Sequence, residues 1–86
     1  MFSMDKDYGW VLRGSQRKKV IYTLNKAKIP TQIKEESNLS LNNVSDVLRE
    51  FRKRGIIECL NPKEKTGRLY QLTTKGLKLR DSILKI

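Results

Sequence analysis

Lysine and arginine are the residues with the clearest chemical potential in this chain. The 86-residue sequence carries 19 of them against 9 aspartates and glutamates, which gives a formal net charge of +10. Much of the positive charge is concentrated in three stretches, at residues 17–19, 52–54 and 63–68. An excess of this size favours polyanionic partners, with nucleic acid first and an anionic membrane surface second.

The same inventory offers little for catalysis or metal binding. The chain has no histidine and a single cysteine, Cys59. A Ser-His-Asp triad, a Cys/His zinc site and an internal disulfide therefore cannot form. Neither GxxxxGK[ST] nor GxGxxG occurs, and the carboxylates are scattered along the chain. We expect no catalytic residue, no metal site and no cofactor, and we predict that the protein is not an enzyme.

Apolar spacing predicts three helices in the first part of the chain. The first runs from Ser15, as N-cap, to about Lys26. A short second helix begins near residue 30 with Thr31 as its cap, and the third runs from its N-cap Ser40 to residue 54, before Gly55. The tight turn between the second and third helices is typical of a helix-turn-helix. The apolar positions of these helices are Val20, Ile21, Leu24, Ala27, Ile33, Val44, Val47, Leu48 and Phe51.

After Gly55 the pattern changes to that of a β-hairpin with strands at 56–60 and 68–73 around a polar loop. A last helix follows Thr73 or Thr74, with apolar positions Leu77, Leu79, Ile83, Leu84 and Ile86. Residues 1–8 are expected to be a poorly ordered arm. The apolar patch from Tyr8 to Leu12 could form a short strand, or cover the core of this chain or of a partner.

The order helix, helix, helix, strand, wing, strand, helix predicts a mostly helical α+β fold in one domain, residues 1–86. Here the residues resemble a known family. The stretch NLSLNNVSDVLREFRKRGII resembles the recognition-helix segment of winged helix-turn-helix regulators of the MarR/ArsR kind. The stretch IIECLNPKEKTGRLYQLTTKG resembles the wing and final-helix entry of short archaeal members. The resemblance covers roughly residues 10–80, but the chain shows no ArsR-type metal-ligand pair.

The resemblance implies a role in DNA binding for three sets of residues. Base contacts would come from the third helix, through Asn42, Asn43, Asp46 and Arg49. Backbone contacts would come from Thr31, Ser45, Arg17, Lys18, Arg52 and Lys53. The wing would carry Lys63, Lys65 and Arg68, and an arginine there can enter the minor groove. Asp46 and Lys34 depart from the family pattern, which commonly has a basic or neutral residue and an alanine at these positions.

Each of these positions also has a simpler structural interpretation. Asn42 and Asn43 could be solvated residues at a helix start, and Leu41 could extend the core stripe instead of touching a thymine methyl. The runs 17–19 and 52–54 could be solvated helix ends. Cys59 fits a buried, inert thiol better than a redox sensor.

We predict a sequence-specific, double-stranded DNA-binding transcription regulator. It would read the major groove with helix 40–54 and contact the backbone or minor groove with wing 61–68. The alternatives are a non-specific architectural or RNA-associated binder and a winged-helix protein-interaction module. A homodimer through the last helix and the segment from Tyr8 to Leu12 is expected, because so short a chain buries a small core. With no signal peptide and no apolar run of about 18 residues, we expect a cytoplasmic protein without a membrane partner.

Overall fold

The computed structural model describes residues 4–85, which form five helices and a two-stranded antiparallel sheet. The predicted mostly helical winged-helix architecture is confirmed, with one helix more than the sequence pattern suggested. The elements are α1 (Met4–Leu12), α2 (Ser15–Thr23), α3 (Pro30–Ser37), α4 (Leu41–Lys53), β1 (Ile57–Cys59), β2 (Tyr70–Leu72) and α5 (Thr74–Leu84).

The additional helix, α1, corrects the prediction for the N-terminal segment. From residue 4 onward the expected arm is helical, as is the apolar patch after it, while residues 1–3 lie outside the described part of the chain. Val11 is fully buried, and Tyr8, Trp10 and Leu12 pack against the core. The segment therefore covers the core of its own chain, and it is not a strand.

Two helix starts differ from those predicted. The N-cap of α2 is Gly14, and Ser15 is the first residue of a helix that ends at Thr23, short of Lys26. The N-cap of α3 is Ile29, not Thr31, and its N–H donates to the Gln32 side chain at 3.0 Å. At α4 the predicted cap is confirmed, because the Ser40 hydroxyl accepts from the Asn43 N–H at 3.1 Å.

The sheet is shorter than predicted and has an unexpected third partner. Ile57 pairs with Leu72 and Cys59 with Tyr70 across the two strands. Lys28, in the α2–α3 connection, forms an isolated antiparallel bridge with Tyr70 through two backbone hydrogen bonds of 2.9 Å. The connection before α3 is thereby tied to the base of the wing.

The core lies between the helices and the inner face of the sheet. Most of the predicted core residues are buried, although Ala27 is half-buried and Leu77 and Leu84 are exposed. The predicted core position Ile86 lies outside the described residues. The Thr73 hydroxyl caps α5 by accepting from the Gly76 N–H at 3.1 Å. Among the described residues, no helix combines the length and apolarity needed to cross a membrane.

Candidate nucleic-acid interface

The outer face of α4 is polar and exposed, and the opposite side of the helix is packed into the core. Val44, Val47, Leu48 and Phe51 bury one side of the helix. With about 100° between successive residues, Asn42, Asp46, Arg49 and Lys53 lie on the opposite side, and all four are exposed. Asn43 is half-buried, and its N–H is taken by the Ser40 cap. The helix thus presents a row of groups that can donate and accept hydrogen bonds.

Two ion pairs lie on this outer face. Arg49 donates to Asp46 at 3.2 Å, and Lys53 lies 3.8 Å from Glu50. Both members of the Arg49–Asp46 pair are about two-thirds exposed, and such surface pairs contribute little stability. Asp46 therefore orients Arg49 without holding it strongly, and a stronger acceptor can replace the carboxylate.

A cationic cleft of about 520 Å³ separates α4 from the wing. It brings together residues that the sequence assigned to three different roles: Ser45, Arg49, Arg52 and Lys53 of α4 face Arg68 and Tyr70 across it. Pro30, in the first turn of α3, lines the same space. None of the lining residues is acidic, so the cleft is suited to an anion.

The hollow on the other side of α4 has a different character. It measures about 400 Å³ and includes Trp10, Arg17, Asp46 and Glu50. Arg17 donates to the Trp10 carbonyl at 2.6 Å, and its guanidinium lies 4.3 Å from the indole centroid. Arg17 is therefore engaged within the protein. Lys18 is half-buried, and Thr31 is exposed in the first turn of α3.

The indole of Trp10 also links α1 to the end of α4. The Arg54 guanidinium lies 3.8 Å from the ring centroid, and it donates to Asp7 at 3.1 Å. Lys75 of α5 lies 2.6 Å from the other oxygen of Asp7. Burial acts to raise the pKa of Asp7, but hydrogen bonds and positive charge from Lys75 and Arg54 hold it below its usual value of 3.8. Through this cluster, Arg54 connects the end of α4 to Asp7 and Trp10 of α1.

The wing is closed by its own hydrogen bonds. The Asn61 side chain accepts from the Leu69 N–H at 2.7 Å and donates to the Gly67 carbonyl at 3.2 Å. Arg68 donates to the Glu64 carbonyl at 2.7 Å and to the Pro62 carbonyl at 3.3 Å. Sequence reasoning missed Asn61, although an asparagine beside Pro62 is a common signal for a turn built by the side chain.

The wing tip carries the remaining predicted cations. Lys63 and Lys65 are exposed there. Cys59 is half-buried, with its thiol 3.6 Å from Asn61, so it is less buried than predicted. Within the described part of the chain, no cluster of His, Cys, Asp or Glu could hold a metal ion.

A family model described as winged helix-turn-helix matches residues 19–86. The match covers most of the chain, and the protein therefore belongs to this winged helix-turn-helix family. Winged helix-turn-helix domains typically place a recognition helix in the major groove of DNA. No curated protein matches the sequence.

Solved structures share the fold at low sequence identity. TubR from Bacillus thuringiensis serovar israelensis, bound to 24 bp of tubC, is 13% identical with a TM-score of 0.80, and the match covers 99% of this chain and 96% of TubR. A MarR family regulator from Neisseria meningitidis is 22% identical with a TM-score of 0.74, covering 94% of this chain and 61% of the regulator. This chain thus spans less than two thirds of that MarR regulator. The expected likeness to archaeal members finds no support in these comparisons.

Proposed function

We propose that this protein is a sequence-specific, double-stranded DNA-binding transcription regulator that acts in the cytoplasm. The observation that carries the proposal is the exposed polar face of α4 beside a cleft lined by cations and by no acid. The major groove of B-DNA admits an α-helix, and cations on the flanks of α4 can neutralise phosphates. TubR, whose fold is similar, was solved bound to DNA.

Base reading belongs to the outer face of α4. Asn42 can pair with an adenine edge, and Arg49 can pair with guanine O6 and N7. Asp46 orients the Arg49 guanidinium by accepting a hydrogen bond from it, and its carboxylate can also accept a hydrogen bond from cytosine N4. Asn43 takes part less directly, because it is half-buried at the start of the helix.

Affinity comes mainly from phosphate contacts, which do not depend on sequence. The phosphate contacts on α4 would come from Ser45, Arg52 and Lys53. Further contacts would come from Thr31 and Lys18 near the starts of α3 and α2, and from Lys63 and Lys65 on the wing. Arg17 is the weakest candidate of the predicted set, because its guanidinium already bonds the Trp10 carbonyl and stacks on the indole.

A homodimer would place two copies of α4 on one duplex. We assign the dimer contact mainly to the last helix, where Leu77 is 57% exposed and Leu84 is 51% exposed. The segment from Tyr8 to Leu12 contributes only its outer edge, because Val11 is fully buried in its own chain. Two recognition helices about 34–36 Å apart would meet successive major-groove faces of the duplex.

Selection from a random duplex DNA pool at about 150 mM salt tests this function. We expect an enriched inverted repeat. Duplex retained without an enriched motif would reject sequence reading in favour of an architectural or RNA-associated role. If no duplex is retained, a protein-interaction module replaces the proposal.

A further inference from the structure

The charge around α4 is distributed unevenly. On the wing side the helix carries Arg49, Arg52 and Lys53, and Arg68 faces them across the cleft. On the other side the hollow contains the carboxylates of Asp46 and Glu50 and a single cation, Arg17, which is engaged with Trp10. A phosphate group is attracted more strongly to the first side than to the second, which favours a path for a nucleic-acid backbone along the wing side of the helix.

We propose that the cleft between α4 and the wing is a phosphate-binding site that seats one phosphodiester group of a DNA strand, with Arg52 and Arg68 as its two opposing cations. The proposal rests on the proposed DNA binding and adds the path of the backbone. It also changes the predicted role of Arg68, from insertion into the minor groove to a contact made inside the cleft.

Arg68 has the geometry for this role. Its guanidinium bonds the Glu64 and Pro62 carbonyls, so the side chain is folded against the loop instead of projecting from the tip. A guanidinium carries several N–H donors in a planar fork, and the two loop bonds use only part of them. The rest of the fork can therefore donate to a phosphate oxygen while the loop bonds stay in place.

Arg52 supplies the opposite wall. It is exposed on the side of α4 that lines the cleft, one helical turn beyond Leu48 and two turns beyond Ser45. The other two cations of α4 in the cleft each have a carboxylate nearby, since Arg49 is paired with Asp46 and Lys53 lies beside Glu50. Seating a phosphate against Arg52 requires no ion pair from the set of described residues to be broken.

Asn61 is the positioning residue of the site. Its side chain bonds the backbone at Gly67 and at Leu69, which are the residues on either side of Arg68. These two bonds fix the wing backbone from which Arg68 extends. Without them, each DNA-binding event would have to order this part of the loop, at a cost in conformational entropy.

The first experiment measures duplex affinity as a function of salt for the full chain and two charge-matched variants. Loss of one phosphate contact lowers the slope of log K against log[salt] by about 0.9. We expect Arg52→Gln to show that change and to weaken binding about tenfold at fixed salt, the lower end for a hydrogen bond to a charged group. Lys19→Gln removes the same charge from an exposed α2 position outside the cleft, and it should leave the slope unchanged. Equal slopes for the two variants would overturn the site.

A second experiment tests Asn61 through a double-mutant cycle. Asn61→Ala should weaken duplex binding in the wild-type background but have little further effect when Arg68 is already Gln, because it acts through that side chain. Amide hydrogen exchange in the absence of DNA gives an independent readout, with faster exchange at Leu69 expected for Asn61→Ala. Additive losses of affinity, or unchanged exchange at Leu69, would remove Asn61 from the site.

Inorganic pyrophosphate separates failure of the site from failure of the proposed function. Titrated into the free protein, it should shift the amide resonances of Ser45, Arg52 and Arg68, and Arg52→Gln should reduce these shifts while Lys19→Gln does not. If pyrophosphate binds this way but no duplex binds, the phosphate site stands with a free anion as its ligand, and its assignment to DNA is rejected. If shifts spread evenly over all surface cations, the cleft is not a site.

Discussion

Arg49 shows at the level of one residue how a weak ion pair can serve recognition. Its guanidinium lies 3.2 Å from Asp46, and both groups are exposed to solvent. Arg49→Ala should weaken binding to the selected DNA by about 1–3 kcal/mol and relax preference at one base pair. Competition binding with single-base variants of the site measures both effects. Uniform weakening across all sequences would show that Arg49 contacts only phosphate.

Gly76 is required by a close approach between α5 and Ile56, the residue before β1. A Cβ built on Gly76 would lie 2.1 Å from the Ile56 carbonyl oxygen, a backbone atom that cannot rotate away. Gly76→Ala should therefore destabilise the fold by at least about 1–3 kcal/mol, as overpacking does. Gly9→Ala is the control. Its Cβ would meet only the end of the Arg13 side chain, at 3.3 Å, and alanine in a helix gains up to about 1 kcal/mol over glycine. Urea unfolding midpoints that fall by the same amount in both variants would contradict this account.

Asp7 makes stability depend on pH in the acid range. Its pKa is lower in the folded state than its usual 3.8, so the stability it adds is fully present above about pH 4 and is lost as the pH falls through the folded value. Asp7→Asn should lower the free energy of unfolding at pH 7 by about 1–3 kcal/mol.

Urea unfolding of both proteins from neutral to acid pH checks this prediction. The gap between Asp7→Asn and the wild type should close at low pH, where Asp7 is protonated in both states. Asp81→Asn, which breaks an exposed pair with Lys85, should change stability by no more than about 1 kcal/mol at any pH. A gap at Asp7 that stays constant down to the acid limit would show that charge is not the cause.

At the scale of elements, α4 was predictable and α1 was not. α4 combines a strong apolar stripe with a serine cap and a C-terminal glycine, which are all local signals. α1 is stabilised by contacts with distant residues, such as the bond between Asp7 and Arg54 and the packing of Trp10 on Phe51. Arg68 is a similar case, because its inward position depends on the path of the loop. The spacing of residue types along the sequence does not reveal contacts between distant residues.

The cap of α4 can be tested by removing one hydroxyl. Ser40→Ala leaves the Asn43 N–H without its acceptor and should cost about 1 kcal/mol of stability. Ser45→Ala, on the exposed side of the same helix, has no capping bond to lose and should stay within about 0.5 kcal/mol. Denaturant titrations measure the free energy of unfolding of both variants. An equal loss of stability in both would show that the Ser40 cap does not stabilise this helix.

At the scale of the whole molecule, the most exposed large apolar side chains of the described residues lie on α5. Leu77 and Leu84 are two turns apart on one side of the helix, and both are about half exposed. We expect the double variant Leu77→Gln, Leu84→Gln to convert a dimer into a folded monomer, as measured by sedimentation velocity. Because these side chains are already largely solvated in the single chain, the monomer should keep its stability. Leu60→Gln, an exposed leucine at the base of the wing, should remain dimeric.

The same variants connect assembly to DNA binding. A monomer meets an inverted repeat with one recognition helix at a time, so it loses the gain from effective concentration that the second helix provides. The α5 double variant should therefore bind the full repeat about as weakly as a half-site, whereas the wild type prefers the full repeat. If the wild type sediments as a monomer, or if the double variant still prefers the full repeat, the dimer contact does not lie on α5.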